Sequence, residues 1–189
     1  MATTFPLDRQ KALLRQELRK KLDCLPAAER ARRGEAAVRQ LLVHRRYQEA
    51  RSVFSYVALN FEVETRPFLE ESWRKGKKVF VPRIDPGLKR MRMVQIENLE
   101  SLKPGRYGIL EPAPGSGRPG DPGDLDLAVV PGMAFDREGG RLGRGKGYFD
   151  RFLQEAGRAY KIGLAFKFQL VEKVPCEAHD VRVDEVLTE

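Results

Sequence analysis

The chain has 189 residues, 41% of them hydrophobic and 33% charged, with a formal net charge of +8. That length suits one domain over residues 1–189 with apolar material for a sizeable core, and the balance excludes a disordered or fibrous chain. The absence of an apolar run of about 20 residues excludes an ordinary membrane-spanning helix, while Cys24, Cys176, His44 and His179 show no metal-type spacing. With no apolar signal-peptide core near the N-terminus, a reducing, cytoplasmic setting is expected.

In chain order, Leu14, Leu18 and Leu22 recur at helical spacing and predict an amphipathic helix over 7–24, with Asp8 as its cap. Lys11 and Arg15 are one turn apart and share a face of it. Two cations so placed either grip a polyphosphate or form ordinary solvated surface. Pro26 starts a second helix running to about Arg46, with Val38, Leu41 and Leu42 inward and Gly34 weakening its middle.

The first 50 residues carry 12 Lys/Arg against 6 Asp/Glu, which invites a nucleic-acid reading. Those charges fall on helices whose other face is apolar, however, and no aromatic RNA-stacking motif or zinc finger accompanies them. Ser52 to Leu59 is a predicted strand by its β-branched and aromatic content, and Asn60 to Glu64 is the turn out of it. A helix over Thr65 to Lys75 turns Phe68, Leu69 and Trp73 inward. Lys77 to Ile84 and Met91 to Ile96 read as two further strands. Residues 104–124 are rich in Pro and Gly, but Tyr107 to Pro112 is too apolar for a linker and predicts a covering loop.

The chain is organised around Asp126 to Asp150. Leu127 to Val130 is an apolar run of the kind buried on both faces of a sheet, and Pro131-Gly132 ends it. Gly139, Gly140, Gly143, Gly145 and Gly147 follow, interleaved with Arg141, Arg144 and Lys146, and a helical pattern begins at Tyr148 and runs to Ala156. Strand, basic glycine loop, helix start: this order aims backbone N–H groups and a positive helix end at an anion. Gly140, Gly145 and Lys146 match the start of a Walker A loop, but Gly147 stands where a Ser or Thr would hold Mg²⁺, so a P-loop NTPase is rejected while the phosphate cradle is kept. So many glycines would lose much backbone entropy for no return if nothing were bound there.

Beyond this stretch, Tyr160 to Phe166 and Gln169 to Val174 are predicted strands, and Val181 to Leu187 a short strand or turn. The alternation implies an α/β domain: a three-layer, open, mainly parallel sheet with helices on both faces and an N-terminal helical segment. Ligands in such sheets sit beyond the carboxyl ends of the strands, where Glu62, the loop from Arg141 to Asp150, and Asp184 are expected in one cleft.

PGMAFDREGGRLGRGKGYFDRFL resembles the signature of the 5-formyltetrahydrofolate cyclo-ligase family. The resemblance extends in order to KALLR near the start, FEVET after the first strand, YGILEP, and VDEVL near the end. Phe149 departs from it, standing where members often carry a second Tyr. The resemblance implies an ATP-dependent ligase that converts 5-formyltetrahydrofolate to 5,10-methenyltetrahydrofolate with Mg²⁺, acting as a cytoplasmic monomer on a small molecule, with no nucleic-acid or membrane partner. It implies that Arg144 and Lys146 are catalytic. It further implies that Lys11, Arg15, Arg141, Leu142, Gly143, Arg144, Gly145, Lys146, Gly147, Tyr148 and Phe149 surround ATP. Folate would meet Val57, Glu62 and the segment Arg144 to Tyr148, and Asp150 and Asp184 would hold the metal. The competing reading is a non-catalytic nucleotide- or RNA-binding protein; Glu62, Asp150 and Asp184 would weaken an RNA surface.

Overall fold

A computed structural model describes residues 5–85, 87–88, 90–105 and 108–189. The helices are α1 (Leu7–Asp23), α2 (Ala27–Val43), α3 (Arg45–Glu49), α4 (Arg66–Arg74) and α5 (Tyr148–Glu155). The strands are β1 (Ser52–Ser55), β2 (Lys78–Asp85), β3 (Arg90–Gln95), β4 (Leu102–Pro104), β5 (Leu110–Pro112), β6 (Arg118–Pro119), β7 (Leu127–Val130), β8 (Ala134–Phe135), β9 (Arg141–Leu142), β10 (Tyr160–Leu164) and β11 (Glu185–Leu187). Seven of these form the main sheet in the order β11-β10-β7-β1-β2-β3-β6. From β11 to β2 every pairing is parallel; β3 runs antiparallel to β2, and β6 antiparallel to β3.

Alternation along the central strands divides the core in two. Val53, Val79, Val81, Leu127 and Val129 face the layer built from α1, α2 and α4, with Leu18, Leu22, Leu41, Phe68 and Leu69. Their sequence neighbours Phe54, Phe80, Ala128 and Val130 face the other side, where α5 contributes Phe152, Leu153 and Ala156. Because successive side chains in a strand point to opposite faces, this apolar run serves both layers at once. The helices therefore do cover both faces, α1, α2 and α4 on one side and α5 on the other.

Several local expectations need correction. Asp8 is not the cap of α1; Pro6 takes that position, and Asp8 lies in the first turn, where a carboxylate still favours the helix dipole. The second helix stops at Val43 because His44 is extended, and its Nδ1 accepts the Arg46 N–H (3.2 Å) to start the separate α3. The first strand ends at Ser55, not Leu59. There the Tyr56 carbonyl accepts the Thr65 hydroxyl (2.7 Å), and the Tyr56 hydroxyl donates to the Val63 carbonyl (2.9 Å), drawing the chain out of the ladder. The predicted strand from Gln169 to Val174 is a 3₁₀ turn (Lys167–Gln169) followed by irregular chain with one bridge, Phe135 to Leu170. Gln169 enforces the turn: its Oε1 accepts the Phe166 N–H, and its Nε2 donates to the carbonyls of Gly132 and Met133.

The covering segment contains an antiparallel hairpin, β4 with β5, which leans on the end of β2 where the Ile84 N–H donates to Glu111 (3.1 Å). Tyr107, at the head of the expected apolar stretch, lies outside the described residues. Among the described residues no helix is long and apolar enough to cross a membrane.

Candidate active site

At the carboxyl ends of β1, β2 and β7 a cleft opens between the turn after β1, the hairpin β4–β5 and the loop leading into α5. Tyr56, Val57, Leu59, Pro82, Ile84 and Met91 form much of its apolar wall, and Arg141, Gly143, Arg144, Lys146, Gly147 and Asp150 line its polar side with Glu62.

Glu62 is oriented by the turn that bears it. Its own N–H donates to the Leu59 carbonyl (2.8 Å), and the Leu59 N–H donates back to its Oε2 (2.9 Å). Burial pushes its carboxyl above the ordinary value, against the opposing pull of the Leu59 N–H and the Arg144 charge. Glu64, two residues on, is exposed and accepts the Arg66 N–H (2.9 Å) at the start of α4, so its role is a helix cap.

The loop is built in two parts. Its first half is a hairpin absent from the sequence-based expectation: β8 pairs with β9 across a turn held by Asp136, whose Oδ1 accepts the N–H groups of Glu138 and Gly140. A Cβ on Gly139 would lie 2.1 Å from the Val183 carbonyl oxygen, so that glycine serves a close approach of backbone and not a ligand. The entropy argument for a bound anion therefore applies only to the second half, Gly143 to Gly147. The inserted hairpin also explains the poor match to a Walker A loop. Leu142, in strand β9 of that hairpin, is buried in the core and does not line the cleft.

The second half is basic, exposed over Arg144 to Lys146, and ends on α5. Gly147 adopts φ 65° as the N-cap residue, a left-handed turn that presents the start of the helix to the cleft. Arg141 is buried. It donates from Nη2 to Asp150 Oδ1 (2.6 Å) and from Nη1 to the Pro131 carbonyl (3.2 Å), tying β9, α5 and the end of β7 together. Arg144 lies over the Phe61 ring (5.5 Å to its centroid), and Arg19 of α1 approaches the same ring (4.3 Å). Arg15 donates from Nε to the Gly143 carbonyl (2.9 Å).

Of the residues expected in the site, Val57, Glu62, Arg141, Gly143, Arg144, Lys146, Gly147, Tyr148, Phe149 and Asp150 line this one cleft. Arg15 touches the loop from behind, and its guanidinium lies 3.6 Å from where a Cβ on Gly145 would sit. Lys11 does not reach the cleft wall: its Nζ is held between Glu177 Oε2 (2.6 Å) and Asp180 Oδ2 (2.7 Å). Asp184 is at the opposite end of the sheet. It immediately precedes β11, its Oδ2 accepts the Lys161 N–H (2.7 Å), and it borders a separate polar hollow with Asp126 and Arg158. Asp150 and Asp184 therefore do not share one ion. The wall residues Pro82, Ile84, Met91 and Ile109 were missed, since only the antiparallel turn of β3 and the hairpin cover bring these apolar positions to the carboxyl end.

Asp150 satisfies the donor chemistry of a hard divalent cation, which takes one or two carboxylates and completes its shell with phosphate oxygens and water. Among the described residues, the one group of three potential metal ligands is Glu177, His179 and Asp180, and the Lys11 ammonium already contacts both its carboxylates.

Residues 8–189 match the model of the 5-formyltetrahydrofolate cyclo-ligase family. A 5-formyltetrahydrofolate cyclo-ligase from Mus musculus is 35% identical over 93% of this chain and 92% of its own. A relative from Arabidopsis thaliana, described as mitochondrial, is 32% identical over 95% of this chain and 74% of its own. Among solved structures, the 5,10-methenyltetrahydrofolate synthetase of Aquifex aeolicus superposes with a TM-score of 0.83 at 33% identity, covering 94% of this chain and 88% of that one.

Proposed function

The chain belongs to the 5-formyltetrahydrofolate cyclo-ligase family, and we propose that the cleft described above converts 5-formyltetrahydrofolate and ATP to 5,10-methenyltetrahydrofolate, ADP and phosphate. One observation carries this reading: an apolar wall with an oriented carboxylate, Glu62, faces a basic loop that ends on a helix N-terminus, within one cleft.

The chemistry needs those two halves together. A formyl oxygen is a poor leaving group. Transfer of the γ-phosphoryl to it breaks the bond to ADP and turns the oxygen into a phosphate ester; N10 of the folate then attacks the formyl carbon, and phosphate leaves with that oxygen as the ring closes. Such a transfer depends on positioning and on neutralising charge, with no covalent protein nucleophile. Arg144 and Lys146 supply mobile positive charge at the phosphates, and the amides from Gly143 to Gly147 supply fixed donors. Glu62 accepts hydrogen bonds from the N–H-rich pterin, while Val57, Ile84, Met91 and Tyr148 enclose its rings. Asp150 is the residue that would hold Mg²⁺ against the nucleotide, and the ion would there neutralise the transferring phosphoryl group. Asp184 has no part in that site. We assign the protein to the cytoplasm as a monomer acting on small molecules alone.

The test is direct. Added to 5-formyltetrahydrofolate with MgATP, the chain should generate the near-ultraviolet absorbance of the methenyl product, and without MgATP it should not. Absence of product under both conditions would overturn the assignment.

A further inference from the structure

The glycines that free the catalytic loop leave Arg144 with little to orient it. Gly143 and Gly145 flank it, the latter at φ 91°. Its side chain is exposed, and among the described residues no hydrogen bond or ion pair holds it. What it meets is an aromatic face: the guanidinium lies over the ring of Phe61, in the turn after β1, at 5.5 Å from the centroid. A planar guanidinium is drawn to the negative face of a ring, so this contact sets direction as well as position.

Phe61 is itself held in place. It is partly buried against the core layer that α1, α2 and α4 share, and the Arg19 guanidinium of α1 lies over the same ring, 4.3 Å from its centroid. The next residue is Glu62, whose two hydrogen bonds with Leu59 (2.8 and 2.9 Å) close the turn, so the ring cannot drift away from the carboxylate. Arg144 thereby stands near enough to Glu62 for its charge to pull that carboxyl down against the push of burial. The Tyr56 hydroxyl, just past β1, also faces Glu62 and is pushed up by the carboxylates of Glu62 and Glu64. One cation of the phosphate half therefore rests on the turn of the folate half, at the junction the phosphoryl group has to cross.

We propose that Phe61 is a positioning residue for phosphoryl transfer: its ring holds Arg144 at the junction between the folate turn and the loop, where charge develops on the transferring group. This rests on the reading of Arg144 as a charge at the phosphates. Phe61 does not line the cleft, so its effect passes through Arg144. An interaction that orients a group for the transition state alone lowers kcat and spares both KM values.

Steady-state kinetics of variants of the full chain test it. Phe61→Leu keeps an apolar side chain against the core but removes the ring face, so kcat should fall about two- to fivefold, the strength of an exposed cation–π contact, with each KM within about twofold of wild type. Phe61→Tyr keeps the face and should keep kcat. Adding Phe61→Leu to Arg144→Met should lower kcat no further, because the partner is already gone. The pH profile separates positioning from plain support of the turn. If Phe61→Leu releases Arg144, the Glu62 carboxyl loses a favourable charge and the acid limb of kcat/KM for folate moves to higher pH; a loosened turn would instead hydrate Glu62 and move the limb to lower pH. Wild-type kcat in Phe61→Leu, an equal loss in Phe61→Tyr, an additive cycle, or a limb that stays or moves to lower pH would each overturn the proposal. Should Phe61→Leu fail to fold, Arg144→Lys reads the contact from the other side: it keeps the charge but gives up the planar stack, so it should lower kcat, and wild-type kcat there would overturn the proposal as well. Arg144→Met separates the two layers of inference. If it leaves kcat at the wild-type value, the reading of Arg144 as a charge at the phosphates fails; if it lowers kcat while Phe61→Leu does not, only the positioning role fails.

Discussion

Glu62 and Glu64 show how much two residues of one type can differ within a single turn. Glu62 is drawn above an ordinary value of 4.5 by burial, with the Leu59 N–H and Arg144 pulling the other way. If its ionised form accepts the pterin N–H groups, kcat/KM for folate should fall as pH drops through that raised pKa, and Glu62→Gln should abolish the limb. Removing the Arg144 charge should move the limb to higher pH. The sign for stability is opposite: the folded state holds this proton more tightly than the unfolded chain, so ionisation is destabilising as pH rises through the folded pKa. Glu62→Gln should therefore raise the KM for folate yet not lower the Tm at neutral pH, whereas Glu64→Gln should spare the KM. At the loop, Lys146→Ala should cut kcat/KM for ATP at least about a hundredfold, roughly 2.7 kcal/mol of transition-state stabilisation. Both residues were legible in the sequence because they sit in short motifs. Lys11 was legible as a cation near the loop, but its two carboxylate partners lie more than 160 positions away and left no local signal.

Helix α5 and the loop before it show what pattern can and cannot convey. The apolar run of β7, the glycine loop and the helix start all stand where composition placed them. The hairpin β8–β9 does not follow from composition, because each strand has two residues and its turn is fixed by the buried Asp136 and not by strand-forming side chains. The same holds for the turn at Gln169, which depends on a side-chain amide reaching back to the carbonyls after β7. Gly147 is the joint of the element. An Ala there would have to adopt φ 65° and place its Cβ 2.8 Å from Arg151 Nη1. Gly147→Ala should lower stability by about 1–2 kcal/mol in thermal or urea unfolding. Its loss of ATP affinity should be larger than that figure predicts, since the helix start would be turned away from the cleft.

Across the whole molecule, the two ends of the sheet are made differently. At the amino end, the residue just before a strand accepts backbone N–H groups of the neighbouring strand's start: Asp126 those of Arg51 and Ser52 beside β1, and Asp184 that of Lys161 in β10. Asp184→Asn should thus destabilise the fold by about 1–3 kcal/mol and leave the Mg²⁺ dependence of turnover unchanged. Burial would push Asp126 up, but the Ser52 and Arg51 N–H groups hold it below its ordinary value of 3.8. Its contribution to stability is present at neutral pH and lost as pH falls through that depressed value. The carboxyl end is basic loop and open cleft, so its stability should respond to ligand. MgATP at a hundred times its Kd should stabilise the chain by about 2.7 kcal/mol in thermal unfolding, and Lys146→Ala should blunt the shift. The fold class and the position of the cleft were legible because alternation and glycine punctuation are local, while the assignment of Asp184 failed because sequence order does not show at which end of a strand a residue falls. The long-range contacts of α1, with the loop at Gly143 and with Glu177 and Asp180, bear on how the protein is made. Helix α1 leaves the ribosome before the strands it packs on, and its Arg15 and Lys11 meet their partners only after Gly143 and then Asp180 have been synthesised. A nascent chain halted before Glu177 therefore carries the sheet strands through β10 with Lys11 still lacking both counter-ions, so α1 should dock fully only late in translation.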